Sequence, residues 1–215
     1  LSVVQLDHYL QSLLPGACLQ AQSLPQCPRV SLYLINADFP RHALAADIAL
    51  RLMDEPPYWA FCWASGQVLA QVILANPAWV DGKHVVDFGA GSGVVGIAAA
   101  LAGAASVTCV DCDPLAQQAI IANAELNKVS VLVADTMPAQ ADLLTIADVL
   151  YDRENLPLVQ QLMGCAAEVL LADSRIKNLV LPPFVPEGEY LSSTWPDLDE
   201  SAEFNCVRLY RAALA

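Results

Sequence analysis

The run Asp87-Phe-Gly89-Ala-Gly91-Ser-Gly93-Val-Val-Gly96 sets glycines at alternate positions directly behind an acid that ends a short apolar run. Glycines at 89, 91 and 93 let the chain turn tightly and let a ligand lie against bare backbone. Read from Gly91, the run also satisfies G-x-G-x-x-G with Asp111 twenty residues later, the spacing of a dinucleotide-binding loop. Asp87 argues against that ligand. A carboxylate two residues ahead of the first glycine would stand where a pyrophosphate must lie, and two anions there repel. The same carboxylate suits a ligand with a cationic amino group. S-adenosylmethionine has one, together with a sulfonium, so this methyl donor is the expected cofactor rather than NAD; a glycine turn that binds nothing is the plain alternative.

Asp111 closes Thr108-Cys-Val-Asp111, where a carboxylate can accept both hydroxyls of a ribose. Asp113, followed by Pro114, fits a helix N-cap with proline at the first helical position. Asp135 and Thr136 fall where an adenine amino group would be read, or else form a simple turn.

These residues need elements to place them. His84–Asp87, Ser106–Val110, Ser130–Val133 and Leu143–Ala147 read as strands, with helices at 94–102 and 114–127. A helix over Leu156–Leu171 and a fifth strand over Lys177–Leu181 continue the alternation. Such a rhythm implies right-handed crossovers and a parallel sheet covered on both faces. Tyr190–Thr194 and Asn205–Arg211 have no helix between them and predict an antiparallel edge. The expected fold is α/β, doubly wound around a mostly parallel seven-stranded Rossmann-like sheet. Residues 1–55 read as an N-terminal extension, with an apolar helical pattern at its start, a strand over 30–35 and a helix over Arg41–Met53; residues 56–215 form the main domain. A helical pattern also runs over Gln67–Leu74.

The chain has 215 residues, 56% apolar and only 15% charged, with 23 acids against 10 bases and a formal charge of −13. Its two long uncharged stretches, 56–80 and 88–110, are interrupted by Gln67, Gln71, Asn76 and prolines or by the glycine loop, and lack basic flanks, so neither reads as a membrane span. The acid excess disfavours nucleic acid as a partner. No basic segment precedes an apolar run at the amino end, so no signal peptide is expected. Seven scattered cysteines, an odd number, suit a reducing, cytoplasmic setting. Cys109-Val-Asp-Cys112 lacks a second ligand pair for zinc and ends a strand instead of opening a helix, so it reads as packing, and no metal is expected.

The Asp87–Gly93 motif, Asp111 and Asn123-Ala-Glu-Leu-Asn127 together resemble the class I, seven-strand methyltransferases. Pro57-Tyr-Trp-Ala-Phe-Cys-Trp-Ala-Ser-Gly-Gln67 is similar to the tryptophan-containing stretch ahead of the fold in the lysine methyltransferases related to the electron-transfer-flavoprotein β-subunit enzyme and its bacterial homologues. Ala147-Asp-Val-Leu-Tyr-Asp152 matches the D-x-x-Y signature of that group. The likeness covers roughly residues 56–151. In one place the chain departs from it: after the fifth strand relatives carry Asp-Pro-Gly-Arg, whereas Leu181-Pro-Pro-Phe-Val185 follows the strand expected here.

The resemblance implies a transferase using S-adenosylmethionine to methylate a lysine side chain of a protein, as a monomer or weak dimer. A small amine as acceptor, or a binding module without turnover, are the alternatives. It also implies Asp148 as the group orienting the acceptor amine, Tyr151 as a hydroxyl helping to hold it, Trp63 as a lid on the donor and Gly66 as a point of close approach; the plain alternatives are that Asp148 caps a helix starting near Tyr151 or Leu156 and that Tyr151 simply packs. A lysine ammonium, with an ordinary pKa of about 10.4, must lose a proton before it can attack, and water can take that proton.

Overall fold

The computed structural model describes residues 2–39, 56–151, 155–177, 179–198 and 201–214; of Tyr151 only the backbone is included. The helix expected over Arg41–Met53 lies outside the described residues, as does the Tyr151 side chain.

Helix α1 (Val3–Leu13) opens the chain, followed by an antiparallel hairpin of β1 (Leu19–Ser23) and β2 (Ser31–Ile35). Helix α2 (Ala64–Ala75) leads into the alternating part. There β3 (His84–Phe88), α3 (Val94–Leu101), β4 (Ser106–Val110), α4 (Pro114–Leu126) and β5 (Leu132–Ala134) build one half of a sheet. The other half is β6 (Ala141–Ala147), α5 (Leu156–Met163), β7 (Ala166–Asp173), β8 (Val185–Leu191) and β9 (Cys206–Ala213). The strand order is β5-β4-β3-β6-β7-β9-β8. The first five of these strands run parallel, while β9 pairs antiparallel with both β7 and β8.

Alternation along each strand sorts side chains between two cores. Val85, Val107, Leu143, Leu170 and Leu209 face α2 and α3, whereas Val86, Val110, Leu144, Val169 and Leu171 face α5. Both faces are covered, which is why the strands read as nearly continuous apolar runs. The low charge content therefore comes from a doubly covered sheet. No helix among the described residues is long and apolar enough to cross a membrane.

Two expectations about the second half are corrected. The helix ends at Met163 instead of continuing to Leu171, and the fifth parallel strand is Ala166–Asp173, upstream of the expected Lys177–Leu181. That strand runs into Asp173-Ser174-Arg175, an acid and an arginine two residues apart. The segment that follows the fifth parallel strand is therefore Asp173-Ser174-Arg175 and not Leu181–Val185, and it too differs from Asp-Pro-Gly-Arg. The edge hairpin forms as expected, displaced by a few residues at its first strand.

The N-terminal segment shares its interior with the sheet domain. Leu6, Leu10 and Leu13 of α1 pack with Trp59 and with Ala116 and Ala119 of α4, while Leu32 and Leu34 of β2 join the main core.

Candidate active site

The chain builds outward from β3 through α3 to β4 and β5, then crosses back to place β6 on the other side of β3. This reversal leaves a crevice beyond the carboxyl ends of β3 and β6, the usual ligand position in open α/β sheets. The glycine loop leaves β3 at this point. Gly91 sits at φ +53°, a left-handed conformation, and the space a Cβ would occupy there is empty. That is the cradle a close-lying ligand requires.

Asp111, at the end of β4, accepts from the Gly91 amide at 2.8 Å and from the Asp113 amide at 3.0 Å, so one carboxylate fixes the loop and the following turn. Asp113 caps α4 through the Leu115 amide at 2.8 Å, with Pro114 at the first position, as its type predicted. Asn123, fully buried in α4, donates to the Ser92 carbonyl at 2.8 Å and ties the helix to the glycine loop.

Asp87 lies beneath the loop, 2% exposed. Its Oδ2 accepts from the Gly96 amide at 3.0 Å and its Oδ1 from the Thr145 hydroxyl at 2.9 Å. Burial pushes its carboxyl up to about 7, against the opposing pull of the Thr145 and Gly96 hydrogen bonds, and Asp111 adds a smaller upward push. Asp87 thus clamps α3 to β6 while still facing the crevice.

Asp148 takes a role that local sequence does not reveal. It stands just past β6 at φ +55°, a conformation costing about 1 kcal/mol for a residue with a Cβ. Its Oδ2 accepts from the amides of Ser65 at 2.9 Å and Gly66 at 3.2 Å, and its Oδ1 from the Ser65 hydroxyl. These are the amides at the second and third positions of α2, whose own N-cap residue, Trp63, has no acceptor to offer. Asp148 therefore caps α2 from a distant part of the chain. The residue is half-buried, but its carboxylate is turned inward; that burial raises its pKa to about 7, with the Ser65 hydroxyl opposing and Asp173 adding to the rise.

A small cavity of about 40 Å³ gathers Trp63, Gly66, Asp87, Gly89, Gly91 and Asp148. Six residues singled out by type and resemblance thus meet in one place. Its volume is well below the roughly 300 Å³ of sites that enclose drug-sized ligands, so it has room for only a small part of such a molecule. Trp63 stands over it, its indole nitrogen donating to the Tyr58 carbonyl at 3.0 Å and its ring edge-on to Tyr58 at 5.6 Å. Gly93 caps α3 at φ +80°. Asp135 and Thr136 are exposed just after β5 and are not part of the cavity lining. Trp59 is core, 1% exposed.

Ser65 and Thr145, the partners of Asp148 and Asp87, went unnoticed in the sequence. Thr145 had a signal, being the one hydroxyl in the apolar run Leu143-Leu-Thr-Ile-Ala147 and paired in register with Asp87. A second, larger groove of about 830 Å³ lies between α5 and the segment after β7, bounded by Leu156, Gln160, Arg175, Ile176 and Leu181. It holds none of the expected donor residues.

Residues 70–153 match the family described as ribosomal protein L11 methyltransferase. The solved magnesium protoporphyrin IX methyltransferase from Synechocystis PCC 6803, with bound SAM, superposes with a TM-score of 0.52 at 18% identity, covering 70% of this chain and 82% of that one. The chain has the class I methyltransferase fold. Electron transfer flavoprotein beta subunit lysine methyltransferase of Mus musculus is 38% identical over 104 residues, 46% of this chain and 41% of that protein. The Xenopus laevis protein of the same name is 33% identical over 162 residues, 65% of each. The match to the mouse relative thus spans about two fifths of its length. The methyltransferase resemblance holds, and it embraces the glycine loop, Asp111 and the Asp148 turn.

Proposed function

We propose that the chain transfers a methyl group from S-adenosylmethionine to a lysine side chain of a protein. The observation that carries this reading is the single crevice at the strand-order reversal, where a glycine cradle, two buried carboxylates and Trp63 converge. Support comes from relatives named for lysine methylation of the electron transfer flavoprotein beta subunit and from a family named for ribosomal protein L11.

The residues fit the donor. Gly89 and Gly91 offer bare backbone to its amino-acid portion, Asp87 favours its ammonium, and Asp111 accepts from its ribose hydroxyls. Asp135 and Thr136 read the adenine from the β5 edge, and Trp63 covers the bound molecule. When bound, S-adenosylmethionine supplies a methyl group on a sulfonium, open to in-line displacement by an uncharged amine nitrogen. The chain's part is alignment and exclusion of water. Asp148, held rigid by α2, has acceptor capacity left beyond its three hydrogen bonds and orients the amine; Tyr151, three residues further on, is assigned to steady it. Neither needs to be the final base. Seven free cysteines suit a cytoplasmic setting, and the acidic chain acts on a basic target as a monomer or weak dimer.

Incubation with tritiated S-adenosylmethionine and purified electron transfer flavoprotein, or ribosomal protein L11, tests the reading. Label is expected on a lysine of the protein acceptor and is lost in Asp148→Asn, which keeps an acceptor for the α2 amides. Label confined to small molecules would overturn the protein acceptor, and absence of S-adenosylhomocysteine binding by calorimetry would overturn the cofactor.

A further inference from the structure

Thr145 lies fully buried inside β6, between Leu143, Leu144 and Ile146. Valine would fill the same shape there, and a buried hydroxyl must find partners or cost stability. It has two within reach. Its oxygen lies 2.9 Å from Asp87 Oδ1 and 3.3 Å from the Val86 carbonyl oxygen, both on β3, where Asp87 is its partner in register. One hydroxyl proton can go to only one of these acceptors at a time.

Which acceptor takes it depends on Asp87. A carboxylate there is both nearer and charged, and charge-assisted hydrogen bonds are the stronger kind. A neutral acid lets the hydroxyl turn to the Val86 carbonyl and accept the acid proton in return. Thr145 is thus satisfied in either state and favours the ionised one, opposing the burial that lifts Asp87 to about 7. The titratable groups nearby give Asp87 no such help. Asp111, from the end of β4, adds to the rise, and Cys109, its β4 neighbour, is a thiol that burial holds neutral. Asp148, from the end of β6, lines the same cavity, while α3 supplies the Gly96 amide. Among the described residues that line the cavity there is no base.

We infer that Thr145 is a positioning residue for the methyl donor: its hydroxyl holds Asp87 Oδ1 in the crevice wall so that this carboxylate accepts the ammonium of the donor's amino-acid portion. Thr145 itself is closed to solvent and acts only through Asp87, which lines the cavity. The inference rests on the donor site proposed above and deepens it by naming the residue that sets how readily Asp87 receives a cation.

Two ligands separate this role from simple packing. S-adenosylhomocysteine carries the ammonium, whereas 5′-methylthioadenosine keeps the adenine, ribose and sulfur without the amino-acid portion. Both can be titrated by calorimetry into wild-type protein, Thr145→Val and Thr145→Ser between pH 6 and pH 8.5. Thr145→Val should bind S-adenosylhomocysteine roughly tenfold more weakly than wild type at pH 6, the effect of one lost hydrogen bond to a charged group. At pH 8.5, where Asp87 is ionised in both proteins, the two affinities should agree within about twofold. Affinity for 5′-methylthioadenosine should stay within about twofold throughout, since that ligand has no ammonium for Asp87 to hold. Thr145→Ser keeps the hydroxyl and should restore the wild-type profile. Thr145→Cys, with only a weak donor, should fall between, and decides the matter if the valine variant does not fold. A loss in Thr145→Val that is equal at every pH, or that 5′-methylthioadenosine shares, marks a packing role and overturns the inference. Wild-type affinity for S-adenosylhomocysteine at pH 6 in the valine or cysteine variant overturns it too. If wild-type protein binds neither ligand, the donor site beneath the inference falls, and the inference falls with it.

Discussion

Asp87 combines two demands that pull its proton in opposite directions. Burial under α3 favours the neutral acid, while the Gly96 and Thr145 donors, and a cationic ligand in the crevice, favour the carboxylate. In the unfolded chain the group ionises near 3.8, in the fold near 7. Between those values the folded state holds a proton that the unfolded state has released. The stability tied to that proton is full below about pH 4 and is lost as pH rises through 7, on the order of 4 kcal/mol for one such group. Asp148 is pushed the same way. Urea midpoints should therefore fall from pH 4 to pH 8, and Asp87→Asn should flatten part of that fall, since an amide can still pair with Gly96 and Thr145. An unchanged slope in the variant would show that Asp87 ionises normally. Donor binding should run the opposite way with pH. A cationic ligand selects the carboxylate, so S-adenosylmethionine affinity by calorimetry should rise through pH 7 and lose that rise in Asp87→Asn.

At the level of elements, two close approaches set the crevice. Helix α3 lies so near β4 that a Cβ on Gly96 would stand 2.4 Å from the Cys109 sulfur, and Asp148 joins the β6 end to the start of α2. Gly96→Ala should cost about 1–3 kcal/mol by overpacking, and adding Cys109→Ala should recover much of it. Equal losses in the single and double variants, measured by urea unfolding, would place the strain elsewhere. The loop and its two flanking strands were legible because glycine spacing, strand-end acids and the Asp113-Pro114 cap are local signals. Strand β7 was not. Ala166-Ala-Glu-Val-Leu-Leu-Ala-Asp173 is composed mostly of good helix formers and is covered on both faces, so it lacks the alternation that marks a strand. The capping role of Asp148 was equally hidden, since its partners lie more than eighty residues away. A Trp-x-Ser-Gly opening without a side-chain acceptor at its N-cap signals that a cap must come from somewhere, but not from where.

Across the whole molecule, the N-terminal hairpin and the glycine loop meet at α4. The Tyr33 amide donates to Asn123 Oδ1 at 2.7 Å while Asn123 Nδ2 donates to Ser92 of the loop. One turn later, Asn127 exchanges two hydrogen bonds with the Ser31 backbone, at 2.9 and 2.6 Å, and has none to the loop. The two asparagines of Asn123-Ala-Glu-Leu-Asn127 thus differ in reach, since both dock the hairpin and only the first also fixes the loop. Removing either leaves backbone groups of β2 unpaired, at about 1–3 kcal/mol. Asn123→Ala should therefore lose stability and also bind S-adenosylhomocysteine several-fold more weakly, because the Ser92 carbonyl is freed and the cradle relaxes. Asn127→Ala should lose comparable stability with donor affinity unchanged. Calorimetry on the two variants at matched fractions folded separates the effects. A drop in affinity for Asn127→Ala equal to that for Asn123→Ala would mean that the hairpin as a whole, and not the Asn123 bridge to Ser92, holds the donor site in shape.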